Sequence, residues 1–405
     1  MEVTETNFCD IGLTGISAFQ ENPAEAAEFV KDPCLRDSIS KIPEVYLANS
    51  SLELCSTAGM RVMRLADPAV AQQILDSLAQ ALGSLGGGVM QPPRVRILSG
   101  LEEALSGWVT AIQLSGGVVG ALDWGGASAQ ITVPSTESLD THPNIWSLQV
   151  GEENYTVHSQ SNLCYGQAEA RNRHRAALVF SWIISQDPAE PGNGSTVSLS
   201  DPCLPVGTVT PAVPLATIFS SPCTHISDET IKSYIEETSM TVSFTSDEPG
   251  YQRCSDLVRQ QFMPEVCDKI WQPMEGEFKC LDPKLIPDPQ SDLTYIAMST
   301  YFYLTRGLNL SAPFSLETFR RKAEEVCSLD YNAPSLAGLG NNADSACFQL
   351  VLMDQLLTSG YHFDFDSWDQ IKFVKRIEGA EVGWGLGHAL IQASRLGMAG
   401  HQHIG

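Results

Sequence analysis

The chain has 405 residues, 43% hydrophobic and 18% charged, which allows two or three domains, each with its own core. Its 48 acidic residues outnumber 24 basic ones, giving a net charge of -24. Such a surface repels nucleic acid and anionic membranes, so an anionic ligand needs a local device: backbone N–H groups or a bridging divalent cation.

The eleven cysteines stand singly, with no C-x-x-C pair, which argues against a zinc ribbon or a thioredoxin motif. Together with four N-x-S/T sequons, at Asn49, Asn154, Asn193 and Asn309, they indicate an oxidising, glycosylating route. The opening "MEVTETNFCDIG" has neither the basic region nor the apolar core of a signal peptide. The closing "VGWGLGHALIQASRLGMAGHQHIG" is broken by His388 and Arg395 and falls short of the roughly 20 apolar residues of a membrane span. The expectation is a secretory-type body trimmed at its ends.

In chain order, "DPAVAQQILDSLAQALG" (67–83) repeats apolar residues at helical spacing after an Asp-Pro start and runs into a Gly-rich loop. "PRVRILSG" (93–100) reads as a strand reaching a loop, and "LEEALSGWVTAIQL" (101–114) as the helix after it. "ALDWGGASAQITV" (121–133) reads as the next strand, interrupted in its middle. An α/β arrangement follows from this order. Residues 185–230, rich in Pro, Ser, Thr and Gly, read as long surface connections, and helical patterns return at 253–262, 316–328 and 346–359.

Four pieces could carry chemistry. "CSTAGMR" (55–61) is a helix start whose free N–H groups could hold an anion. "SGLEEALSGW" puts Glu102 and Glu103 at the head of a helix. "DWGGASAQ" offers a carboxylate, a glycine turn, a hydroxyl and an amide, and "LCYGQAEAR" supplies another Gly loop. Alone, each has an ordinary explanation: a capped helix, an acidic first turn complementing the helix dipole, a β-bulge or hairpin. Together they form the parts list for metal-assisted phosphate hydrolysis: carboxylate, metal, N–H cradle and a Ser/Gln pair to hold water.

These four runs, in this order, resemble conserved regions of the ecto-nucleoside triphosphate diphosphohydrolases (apyrases), and "GYHFDFDSWDQIKF…VGWGLGHAL" resembles the C-terminal region of that family. The cell-surface subgroup fits best. The resemblance implies two ribonuclease-H-like lobes of the actin and sugar-kinase superfamily, with nucleotide in the cleft between them. The expected lobes are 1–99 plus 379–405, and 100–378 carrying Glu103 and the DWGGAS loop.

By the same resemblance, Glu103 is the base that activates the attacking water, and Asp123 holds Ca²⁺ or Mg²⁺ through water. Gly125, Gly126 and Ala127 grip a phosphate, Ser128 and Gln130 orient the water, and Thr57 lies beside the metal. The family pattern pairs Cys9–Cys34, Cys164–Cys223, Cys203–Cys254 and Cys327–Cys347. Cys267–Cys280 is left as a fifth pair and Cys55 as a small buried apolar residue.

The chain departs from the family in lacking an Asp-x-Gly-Ser-Ser/Thr loop before "FCDIGLTGIS", so a first lobe truncated at its N-terminus is expected. Ala104, Ala129 and Leu352 stand where Gly, Thr and a base-stacking aromatic are usual, and the helix after Glu103 is short. Two readings follow. One is an apyrase that removes terminal phosphates from extracellular nucleoside tri- and diphosphates, ATP and ADP to AMP. The other is a truncated, non-catalytic isoform that binds nucleotide or partner subunits weakly. The implied location is the outer face of the plasma membrane, with membrane association in the family but no span here. A homo-oligomer is left open, and no nucleic acid is implied.

Overall fold

The computed structural model describes residues 15–31, 33–85, 90–138, 143–185, 194–247, 249–274, 277–310, 313–330, 332–333 and 344–401. The chain divides into two compact units, Met1–Glu103 and Ala104–Gly405.

In the first unit, strands β1 (Ser51–Ser56) and β2 (Gln91–Ile97) pair in parallel. Helices α1 (Ala58–Ala66) and α2 (Pro68–Leu85) connect them. Asp67 starts α2 where the sequence places it: its carboxylate accepts from the Ala69 and Val70 amides at 3.0 and 2.9 Å, and Pro68 needs no acceptor at the first helical position. Ala71, Ile74, Leu78 and Leu82, three or four apart, bury one face of α2 against Met60 and Met63 of α1.

Helix α3 (Gly100–Ser115) follows β2 and carries the boundary between the units. In the second unit, β3 (Gly120–Trp124), β4 (Ser128–Pro134), β5 (Ile145–Val150) and β6 (Glu153–Leu163) form an antiparallel run, and helix α4 (Gln167–Ser185) leaves it. Strand β7 (Tyr295–Ser299) then pairs in parallel with β3, and β8 (Ile371–Phe373) pairs in parallel with β7. The spatial order is β8-β7-β3-β4-β6-β5. Four antiparallel strands extended by two parallel ones, joined through helices, contain the ribonuclease-H-like topology that the sequence implied.

Helix α5 (Thr300–Gly307) follows β7, and α6 (Leu316–Cys327) and α7 (Ala346–Gln355) precede β8. The chain closes with α8 (Trp384–His401), whose Leu390 and Ile391 share a core with Trp108, Val109 and Ile112 of α3. Gly387 of α8 lies so close to α3 that a Cβ there would sit 1.9 Å from the Ser106 carbonyl oxygen. Leu390 and Ile391 thus add apolar side chains to the core of the second unit.

Two sequence expectations are corrected. Residues 121–133 are not one interrupted strand but a hairpin, with Trp124 opposite Ala129 and Gly125–Ala127 as the turn. Nor is 185–230 all surface connection. Thr196–Ser200 is a strand paired with Thr241–Thr245, and Asp201 through Pro205 are buried. What draws that segment inward is long-range: the Cys203–Cys254 disulfide, and Asp201 accepting from His174 Nε2 at 2.9 Å.

Four disulfides are present among the described residues: Cys164–Cys223, Cys203–Cys254, Cys267–Cys280 and Cys327–Cys347. Cys9, with its expected bridge to Cys34, lies outside the described residues. Cys55, half-buried, takes part in no disulfide among the described residues. No helix among the described residues is long and apolar enough to cross a membrane.

Candidate active site

Each unit carries part of the expected machinery. In the first, Thr57 is the N-cap of α1, yet its hydroxyl makes no capping bond. Its carbonyl accepts from the Met60 and Arg61 amides at 3.0 and 3.1 Å. The fourth residue of that helix, Arg61, is only 2% exposed and donates through Nη2 to Glu103 Oε2 at 2.6 Å. A charge-assisted bond of that length fixes the carboxylate's orientation. Arg61 was passed over in the sequence because its partner lies 42 residues further on.

The two neighbouring glutamates at the head of α3 have different tasks. Glu102 forms a capping box: its carboxylate accepts from the Ser99 amide at 2.9 Å, and Ser99 Oγ accepts from the Glu102 amide at 3.2 Å. It also accepts from Arg96 Nη1 at 2.8 Å. Burial raises the Glu102 carboxyl, but the bonds from Ser99 and Arg96 outweigh it and hold the group below its ordinary range. Glu103 is instead 7% exposed, so the structural role and the candidate chemical role separate within one dipeptide.

The second unit presents the hairpin turn. The Gly125 carbonyl accepts from Gln167 N at 3.0 Å, the Gly126 carbonyl from Ala168 N at 2.8 Å, and the Ala127 carbonyl from Cys164 N at 2.7 Å. These donors flank and begin α4, so that helix end is spent on the loop rather than on a ligand. "LCYGQAEAR", expected as a second loop of its own, therefore acts as the buttress of the first.

Gly166 is what lets the two meet: a Cβ there would lie 2.2 Å from Ala127 N and 2.3 Å from Ser128 N. With every carbonyl of the turn tied down, the Gly126 and Ala127 amides are left with no acceptor among the described residues. Such paired N–H groups form an anion nest. A Cβ on Gly126 would meet nothing within 4 Å, and its φ is not positive, so the chain's own packing does not explain the glycine.

Asp123 ends β3 beside this turn, 9% exposed, with no cationic side chain pairing it among the described residues. Burial raises its carboxyl, against the pull of hydrogen bonds from the Ser299 hydroxyl and the Trp124 amide. Across the hairpin, Gln130 Nε2 donates to Ser128 Oγ at 2.6 Å and to Ser161 Oγ at 3.0 Å. Its Oε1 is buried without a donor. A buried carboxylate lacking a cation and an amide oxygen lacking a donor are costly unless something joins them. A hydrated divalent cation and an ordered water fit both.

Leu352 is fully buried inside α7, so this position cannot offer a face for a base to stack on.

The topology defines the class: an α/β protein of ribonuclease-H-like build. Residues 2–402 match the GDA1/CD39 (nucleoside phosphatase) family, and the chain belongs to it. It is 30% identical to ectonucleoside triphosphate diphosphohydrolase 3 of Mus musculus, over 96% of this chain and 72% of that relative. Identity to ectonucleoside triphosphate diphosphohydrolase 2 of Gallus gallus is 27%, over 96% of this chain and 76% of the relative. Among solved structures, a nucleoside triphosphate hydrolase from Neospora caninum has a similar fold, with a TM-score of 0.58 at 16% identity, covering 93% of this chain and 79% of that one. The fold of that structure agrees with the α/β fold class implied by the sequence.

Proposed function

We propose that the protein hydrolyses terminal phosphates of extracellular nucleoside tri- and diphosphates, ATP and ADP to AMP, with a divalent cation, Ca²⁺ or Mg²⁺. The observation that carries this reading is the Gly125–Ala127 turn, its carbonyls all engaged and two amides free, next to the buried and cation-free Asp123. Phosphoryl transfer asks mainly for positioning and charge stabilisation, and preorganised N–H donors with a carboxylate-held cation supply both.

The Gly126 and Ala127 amides hold phosphate oxygens. Gln130 Oε1 accepts a hydrogen bond from the attacking water, while Ser128 Oγ, held by Gln130 Nε2, fixes that amide's orientation. Glu103, oriented by Arg61, is the base that takes one proton of the water as its oxygen bonds to phosphorus and the bridging phosphorus–oxygen bond breaks, releasing the nucleotide one phosphate shorter. A cation held through Asp123 would neutralise charge on the phosphate chain.

The setting is extracellular. Four disulfides belong to an oxidising compartment, and the sequon asparagines Asn49, Asn154 and Asn309 are exposed to receive glycans.

The test is phosphate release from ATP and ADP by secreted protein, with Mg²⁺ or Ca²⁺ and with excess EDTA, beside Glu103→Gln. Loss of a general base lowers kcat by about a hundred- to ten-thousand-fold. Equal rates for the two proteins, or full activity in EDTA, overturn the assignment.

A further inference from the structure

Strand β7, the parallel neighbour of β3, ends in a backbone outlier. Ser299 has φ 62 and ψ -126, a combination open to glycine but avoided by residues with a Cβ. The pairing sets Met298 opposite Asp123 and Ser299 opposite Trp124. The usual reason to keep serine at a helix start is absent, because Ser299 precedes α5 without capping it through its side chain. The hydroxyl lies beside the Asp123 carboxylate and pulls its titration down against the effect of burial.

A second observation points to a ligand at the same place. Tyr301, two residues on, is 0% exposed and packs on Trp124 with ring centroids 5.2 Å apart. It lies close enough to feel the charge of Asp123. Its hydroxyl has no hydrogen-bond partner among the described residues. A buried phenol of this kind is rarely left unsatisfied, and a cation's water shell held by Asp123 would provide the missing partner.

We propose that Ser299 is a positioning residue, kept in a strained backbone conformation because its hydroxyl locks the Asp123 carboxylate in the orientation that receives a hydrated divalent cation. This rests on the function proposed above. Strain that persists where glycine would relax it is the expected mark of a group retained for its side chain rather than for stability. Partners that orient a metal-holding carboxylate are typically worth about 10- to 100-fold in metal affinity or activity.

The test compares wild type with Ser299→Gly and Ser299→Ala in three measurements: Tm without metal, Mn²⁺ affinity by electron paramagnetic resonance with a non-hydrolysable ATP analogue, and kcat for ATP. Glycine relaxes the backbone and deletes the hydroxyl, while alanine deletes the hydroxyl alone. The expected result is a Ser299→Gly protein with Tm equal to or above wild type, Mn²⁺ bound about 10- to 100-fold more weakly, and kcat reduced in parallel. Ser299→Ala should show the same metal defect without the gain in Tm.

Wild-type metal affinity and kcat in Ser299→Gly overturn the proposal while leaving the function intact. A fall in Tm with unchanged Mn²⁺ affinity also overturns it, making Ser299 a structural residue. A wild-type protein that neither binds Mn²⁺ with nucleotide nor hydrolyses ATP removes the function itself, and this proposal with it.

Discussion

Two glycines near the hairpin turn, Gly126 and Gly166, should respond oppositely to the same added methyl group. At Gly166 the new Cβ would stand 2.2 Å from Ala127 N, 2.3 Å from Ser128 N and 2.4 Å from the Gly126 carbonyl carbon. All three neighbours are backbone, so no side chain can swing aside. Restoring ordinary contact means moving the turn away from α4 by about 1 Å, and overpacking of this kind costs about 1–3 kcal/mol. A misplacement of about 1 Å in a positioning element costs on the order of a hundredfold in rate. Gly166→Ala should therefore lower both Tm and kcat.

At Gly126 the Cβ meets nothing within 4 Å, and the backbone needs no positive φ. Its effect on stability should stay within about 0.5 kcal/mol, as for other surface substitutions. If the Gly126 and Ala127 amides grip phosphate, however, the methyl group obstructs close approach of the backbone. Gly126→Ala should then keep its Tm and lose activity. Thermal melts and steady-state ATP hydrolysis on the two variants decide the matter. A Gly126→Ala protein with wild-type kcat/KM refutes the phosphate nest. A Gly166→Ala protein with wild-type Tm and rate refutes the buttress.

Two further outcomes follow from groups outside the turn. Burial first, and then the charge of Glu53, pushes the Cys55 thiol up to about 11, so the thiol stays neutral through the physiological range. Alkylation by iodoacetamide should be far slower than for a free cysteine at pH 8 and rise about tenfold per pH unit toward pH 11, since only the thiolate reacts. Fast labelling at pH 7 would contradict this. Arg320 donates to Asp354 at 2.7 and 2.9 Å, and Asp354 is 0% exposed, joined also by Tyr251 and Thr358. Arg320→Met leaves that carboxylate buried without its cation, and should destabilise the protein by about 3–5 kcal/mol in urea unfolding. A loss below about 1 kcal/mol would mean that the remaining bonds suffice.

The helices at 67–83 and 316–328 were legible because each buries a single face, so apolar residues recur every three or four positions. The hairpin at 121–133 was not. Its two strands are buried on both faces, with every residue of β3 and all but the last of β4 inside, so there is no alternation for the turn to interrupt. Without a positive φ at Gly125 or Gly126, the turn also lacks the usual hairpin signature. Composition misled for 185–230 as well, because what buries Asp201 and Cys203 is a histidine 27 residues away and a cysteine 51 residues away.

The candidate site shows the same division between local and distant causes. Asp123, Ser128 and Gln130 sit within one short run, so their types and spacing could be read together. Arg61 and Ser299 could not, since each matters only through a carboxylate far along the chain. Arg61 meets Glu103 across 42 residues, and Ser299 reaches Asp123 only because β7 lies in parallel beside β3. A run of residues can reveal which groups do chemistry, because their identities are unusual where they stand. The groups that aim them are ordinary arginines and serines, and become visible only when sheet register brings them to the carboxylate. Backbone strain is the one local trace such a partner leaves, and at Ser299 it appears in the dihedral angles, not in the residue type.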